Sequence, residues 1–227
     1  EAEGGMATAL ASGSVQKMIR AASDARSQFI AKGSLELTGV TSFPQLDEKL
    51  PVPAPWPLPD ELDDPAITVE RLPLRRLSRD FDALRDASDA HLARTGARPA
   101  VFLANIGTPS DFSARHNFAR SLLAAGGVDS IGDDGFGTPE VAGAAFRASK
   151  SAVACLCSSD ALYAEQASAF AKALKASGAA HLLLAGRPGE KSEDLRAAGI
   201  ETFIYKGCDM VSVLREVHDW LDVKPAG

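Results

Sequence analysis

From residue 98 to the carboxyl terminus, short apolar runs and amphipathic stretches alternate five times, and few folds accommodate that rhythm. Ala100–Ala104, Val128–Ile131, Ala152–Cys157, His181–Ala185 and Thr202–Tyr205 read as strands, the first a continuous apolar run, as in a strand buried on both faces. Helical spacing predicts helices over Phe112–Ala125, Pro139–Ser149, Leu162–Ser177, Lys191–Ala198 and Asp209–Asp222. Thr138-Pro139 supplies a cap and a first helical residue, while Gly178 and Gly199 sit just past helix ends. Parallel strands joined by right-handed helical crossovers make a doubly wound five-stranded sheet, an α/β fold with expected strand order 2-1-3-4-5. Ligands of such sheets sit at the carboxyl edge, here the tips of the first, third and fourth strands.

The chain before residue 98 is of another kind. Met6 to Lys32 predicts a helix with an approximate stripe of Leu10, Val15, Met18, Ile19, Ala22 and Ile30, interrupted at Gly13-Ser14. Gly33 ends it, and Leu35 to Phe43 alternates as a strand does. One helix and one strand enclose no core, so residues 1–43 are expected to be the remnant of something larger. Glu1-Ala2-Glu3-Gly4-Gly5 lacks an initiator Met, which predicts a start inside a longer protein. Packing on the chain's own domain, or self-association through Leu10, Met18, Ile19 and Val40, is the expected fate of this segment. Pro44 to Pro73 holds eight of the 13 prolines, and their spacing forbids a sheet interior. Leu50, Val52, Trp56 and Leu58 make it an apolar belt rather than a bare spacer. Ser78–Arg94 predicts a helix with Phe81, Leu84, Ala87, Ser88 and His91 on one face. The units are therefore 1–43, 44–97 (belt and linker helix) and 98–227.

A net charge of −6 and a pI near 5.3 argue against nucleic acid as a partner. No apolar stretch approaches the ~20 residues of a membrane span. Three cysteines suit a reducing cytoplasm, and Cys155-Leu156-Cys157 on a strand points both thiols to one face, for packing rather than metal.

The loop after the first strand, Asn105 to Asp111, contains no His, Cys, Lys or Arg. Gly107 alone does not make a phosphate-binding fingerprint. Asp160 and Lys206 stand where a phospho-accepting receiver would place an aspartate and a lysine, but Asn105-Ile106 lacks the acidic pair that holds Mg²⁺. Ser158 and Ser159 have no base, since His116, His181 and His218 sit in a helix, at a far strand end and in the last helix. No catalytic or metal residue is expected.

Phe102-Leu103-Ala104-Asn105-Ile106-Gly107, Cys155-Leu156-Cys157-Ser158-Ser159-Asp160, Leu184-Ala185-Gly186-Arg187-Pro188-Gly189 and Lys206-Gly207-Cys208-Asp209 resemble the carboxyl-terminal half of the methylmalonyl-CoA mutase family, most closely its small subunits. Gly4-Gly5-Met6 with the following helix, and Gly39-Val40, resemble the end of that family's TIM-like barrel. The resemblance covers nearly the whole chain. It implies a flavodoxin-like, cobalamin-binding-type domain behind a barrel remnant and a belt. It also implies a heterodimeric isomerase whose large subunit carries adenosylcobalamin and interconverts methylmalonyl-CoA and succinyl-CoA.

Cobalamin-binding relatives place Asp-x-His-x-x-Gly after the first strand, the His ligating cobalt and the Asp orienting it. Counted from Gly107, those positions hold Pro109, Asp111 and Ala114. The second loop keeps Ser158 and Ser159 but carries Asp160, and the third reads Ala185-Gly186-Arg187. The resemblance then implies a degenerate domain kept for assembly, with no cofactor in this chain, ten vestigial loop positions, and the large catalytic subunit as partner. The alternative is a module that binds cobalamin without a protein ligand to cobalt. Phe112, Asp160, Leu162 and Arg187 are the expected fillers of the vacated slot, with Asp160 and Arg187 either facing each other or both pointing into water.

Overall fold

The computed structural model describes residues 4–48, 68–72 and 75–225. Helices α1 (Met6–Ala11), α2 (Ser14–Ala31) and α3 (Arg79–Thr95) precede the sheet. Then follow β1 (Ala100–Ile106), α4 (Pro109–Ala125), β2 (Asp129–Ile131), β3 (Gly135–Phe136), α5 (Pro139–Ser149), β4 (Val153–Cys157), α6 (Asp160–Ala176), β5 (His181–Ala185), α7 (Ser192–Ala197), β6 (Thr202–Ile204) and α8 (Met210–Trp220). All pairings are parallel, in the order β2-β1-β4-β5-β6, which is the expected 2-1-3-4-5 once β3 is set aside. This is a flavodoxin-like α/β fold.

The unexpected β3 continues the β2 edge. Residues 100–102 of β1 pair with β2, whereas Asn105 and Ile106 pair with Gly135 and Phe136. Two residues are too short to leave a periodic signal.

Alternation along the buried strands feeds two cores. Val101, Leu103, Val153, Cys155, Cys157, Leu183 and Ala185 face one layer, built from α3, α4, α8 and the end of α2. Phe102, Ala104, Ile106, Ala154, Leu156, Leu182 and Leu184 face the other, built from α5, α6 and α7. Cys155 and Cys157 share a face, as their spacing requires, and all three cysteines are free and buried. Among the described residues, no helix is long and apolar enough to cross a membrane.

The amino-terminal helix is broken in two at Gly13, which takes a left-handed conformation (φ 77°). The strand expected over Leu35–Phe43 does not form: Leu37 O accepts the amides of Val40, Thr41 and Ser42, leaving one bridge, Thr38 to Ser42. Among the described residues no strand lies beside it, and the backbone satisfies itself locally. Ile30 and Ala31 join the first core, and Leu37 and Val40 pack against it. Met18 and Ile19, expected to pack on the domain or to self-associate, are 72% and 41% exposed. The greater part of the expected belt, residues 49–67 and 73–74 with Trp56, lies outside the described residues. Of the remainder, residues 68–72 run along α2, where buried Gln16 donates to Glu70 O at 2.9 Å and Arg20 meets Glu70 at 2.6 Å. In α3, Phe81, Leu84, Ala87 and Ser88 are buried as their spacing predicts.

Candidate functional site

The carboxyl edge begins where β1 ends. Gly107 (φ 90°) turns the chain, and Thr108 caps α4 with Pro109 at the first helical position. Asp111 folds back on that cap: the Thr108 amide donates to its Oδ2 at 2.8 Å and the Thr108 hydroxyl at 2.6 Å. Those bonds, side chain first, hold the Asp111 carboxyl below its ordinary range. Asp111 is thus committed to the helix start, and Pro109 and Ala114 lie exposed on α4.

The space beside Gly107 is occupied. A Cβ there would stand 2.6 Å from Leu162 Cδ1 and 2.7 Å from Asp111 Oδ2. Phe112 is buried and closes the same tip from α4, its ring 2.8 Å from a Cβ placed on Gly135. Phe112 and Leu162 are therefore where the sequence puts them.

The β4 and β5 tips are tied by Tyr163, which sequence reasoning missed. Its hydroxyl accepts the Ser158 amide (2.9 Å) and faces two carbonyl acceptors, Leu156 O (2.9 Å) and Ala185 O (3.0 Å). Ser158, fully buried, donates its hydroxyl to Ile106 O at 2.8 Å and so joins β4 to β1. Ser159 caps α6. Burial pushes the Tyr163 phenol well up, and a hydrogen bond with Cys155 together with burial does the same to the Cys157 thiol. Both stay neutral at neutral pH, which suits structure and not nucleophilic attack. The signal for Tyr163 was its place one turn into α6, four residues after Ser159.

Arg115 covers this tie. Its guanidinium lies 4.9 Å above the Tyr163 ring and meets Asp160 at 2.6 Å. Asp160 therefore pairs with Arg115 of α4 rather than with Arg187. Arg187 instead lies 5.3 Å from the Tyr205 ring and donates to Lys206 O at 3.2 Å. A Cβ on Gly186 would meet Arg115 Nη1 and Tyr163 Cε2, each at 3.3 Å. With Asp160 89% exposed, that ion pair contributes about 0–1 kcal/mol and mainly shapes the surface.

A second polar group lies on the other side of β1. Buried Asn105 donates its amide to Gly132 O and Asp134 O, each at 3.1 Å, which holds the β2–β3 loop. Its oxygen then accepts from His116 Nδ1 at 3.1 Å, so the other ring nitrogen, Nε2, faces Asp133 at 3.5 Å. Burial lowers the His116 pKa, against the pull of Asp133 and with the push of Arg120. His116 shares a helix face with Phe112, Ala119 and Leu123, the spacing from which its inward aim was readable. His181 sits at the opposite end of β5, bonded to Glu201 at 2.7 Å, and His218 donates to Gly126 O at 3.0 Å. Among the described residues no three His, Cys, Asp or Glu side chains converge on a metal-sized site.

No protein-family model matches the chain. Over 219 residues it is 42% identical to the methylmalonyl-CoA mutase small subunit of Streptomyces virginiae, covering 96% of this chain and 33% of that protein. It is 33% identical over 222 residues to the methylmalonyl-CoA mutase small subunit of Propionibacterium freudenreichii subsp. shermanii, covering 97% of this chain and 33% of that one. With a probable methylmalonyl-CoA mutase small subunit of Mycobacterium tuberculosis, identity is 37% over 161 residues, covering 71% of this chain and 24% of the relative. The chain spans about a third of the length of the first of these curated relatives.

Proposed function

The chain is homologous to methylmalonyl-CoA mutase small subunits over about a third of their length, and on that premise we propose that it is a non-catalytic, structural part of such a mutase. In this reading the partner is a large subunit that binds adenosylcobalamin and isomerises methylmalonyl-CoA and succinyl-CoA. Residues 98–227 form the degenerate cobalamin-type domain, residues 1–43 a barrel remnant seated on it through Ile30, Leu37 and Val40, and residues 44–97 the belt and linker helix. Three free, buried thiols favour a cytoplasmic setting.

The observation that carries the reading is the filled carboxyl edge. Leu162 and Asp111 occupy the space beside Gly107, and Arg115 and Tyr163 the space at Gly186. The residues present do not fit adenosylcobalamin: the expected position of a cobalt ligand is Asp111, and Thr108 already holds that carboxylate. No step of the isomerisation is routed through this chain.

Gel filtration after mixing with hydroxocobalamin tests the cofactor half. The expected protein peak carries no visible absorbance. Co-eluting pigment overturns the degenerate domain and favours a cobalamin module without a protein cobalt ligand. Mixing with a purified large subunit tests the partner half: a complex on gel filtration is expected, and two separate peaks at micromolar concentration refute it.

A further inference from the structure

One carboxylate at the carboxyl edge stands between two nitrogens without a full hydrogen bond to either. Asp133 Oδ1, in the loop between β2 and β3, is 3.5 Å from His116 Nε2 and 3.7 Å from Arg120 Nη1. Both separations exceed the roughly 2.7–2.9 Å of a charge-assisted hydrogen bond. The proton of the neutral His116 ring is placed by its other side. The Asn105 amide spans two loop carbonyls, Gly132 O and Asp134 O, each 3.1 Å away. Reversing that amide would set its oxygen against both carbonyl oxygens, so Asn105 Oδ1 faces the ring and Nδ1 carries the proton. Nε2 of the neutral ring is then a bare lone pair directed at a carboxylate. The same loop packs on the β1 tip, where a Cβ on Gly135 would collide with Gly107 O.

We propose that the β2–β3 loop is an acid-closed latch: a proton taken up at His116 Nε2 draws the Asp133 carboxylate away from Arg120 and pins the loop to α4. The inference is independent of the mutase reading. Among the described residues, the charged groups acting on the ring are Asp133 from the loop and Arg120 from its own helix. The first strand presents the uncharged Asn105, and α4 the Phe112 ring, 6.0 Å away between centres. Burial and Arg120 oppose the imidazolium while Asp133 favours it, so the latch engages below about pH 6.5. The closure is local, since burying the imidazolium still costs the folded chain as a whole.

NMR of the full chain tests the latch in two ways. Long-range proton–nitrogen spectra at pH 7.5 are expected to show His116 as the Nδ1–H tautomer. On titration, Asp133→Asn should reduce the proton affinity of His116 about two- to fivefold, and Arg120→Gln should raise it. Asp133 and Arg120 are 83% and 61% exposed, so both variants keep the fold. Amide exchange, corrected for its intrinsic pH dependence, then reads the loop. Gly132 to Gly135 should be more protected at pH 5 than at pH 7.5 in the parent, and equally protected at both in Asp133→Asn. An Nε2–H tautomer at pH 7.5 overturns the proposal, and so does a His116 titration indifferent to Asp133→Asn. Loop protection that fails to rise in acid, or that rises equally in Asp133→Asn, overturns it too.

Discussion

Asn105 Oδ1 lies 3.1 Å from His116 Nδ1, and both side chains are buried beside the tip of the first strand. The Asn105 amide is spent on Gly132 O and Asp134 O, so this one side chain satisfies an imidazole and two loop carbonyls. Asn105→Ala leaves buried partners unpaired, and a loss of about 2–4 kcal/mol is expected. Urea unfolding measures it, and a loss under about 1 kcal/mol contradicts the tie.

Acid should loosen the protein through two histidines. Burial lowers the folded-state pKa of both His116 and His218 below the ordinary 6.5. The unfolded chain therefore binds these protons first. Stability is complete above about pH 6.5 and falls as pH drops through the lowered folded values. The urea midpoint should decline from pH 7 to pH 5, less steeply in His218→Asn. An unchanged slope in that variant excludes His218 from the effect.

Gly107 combines φ 90° with 2.6 Å to Leu162 Cδ1 from the Cβ it lacks. Gly107→Ala is expected to cost about 1–3 kcal/mol through backbone strain and overpacking. Adding Leu162→Ala should relieve the overpacking and leave the strain. A double variant that is simply the sum of both losses argues that the two sites do not touch.

Tyr163→Phe removes the hydroxyl bonded at Ser158 N, Leu156 O and Ala185 O. The ring remains, so the expected cost is that of the unmade bonds, about 1–3 kcal/mol. Thermal unfolding checks it, and an unchanged midpoint denies Tyr163 its place as the tie between β4 and β5.

Lys150 ends α5 in a left-handed conformation (φ 58°) that a Cβ disfavours. Lys150→Gly should therefore raise stability by up to about 1 kcal/mol. A lowered denaturation midpoint contradicts this.

Local pattern alone was enough to dictate the doubly wound sheet. Runs such as Ala100–Ala104 and Cys155-Leu156-Cys157 can be buried only as interior strands, and the helical stretches between them leave only parallel crossovers. Right-handed crossovers allow more than one strand order, and the expected 2-1-3-4-5 is the one the structure adopts. Tertiary structure decided which side chains meet across the carboxyl edge. Sequence reading offered Asp160 only Arg187 or water, whereas packing of α4 brings Arg115 to 2.6 Å from it. The alternation at Leu35–Phe43 suited a strand, yet a strand needs a neighbour, and with none among the described residues the segment closed on Leu37 O. Periodicity reports which face of an element is apolar, whereas partners are set by how elements far apart in the chain are held against one another.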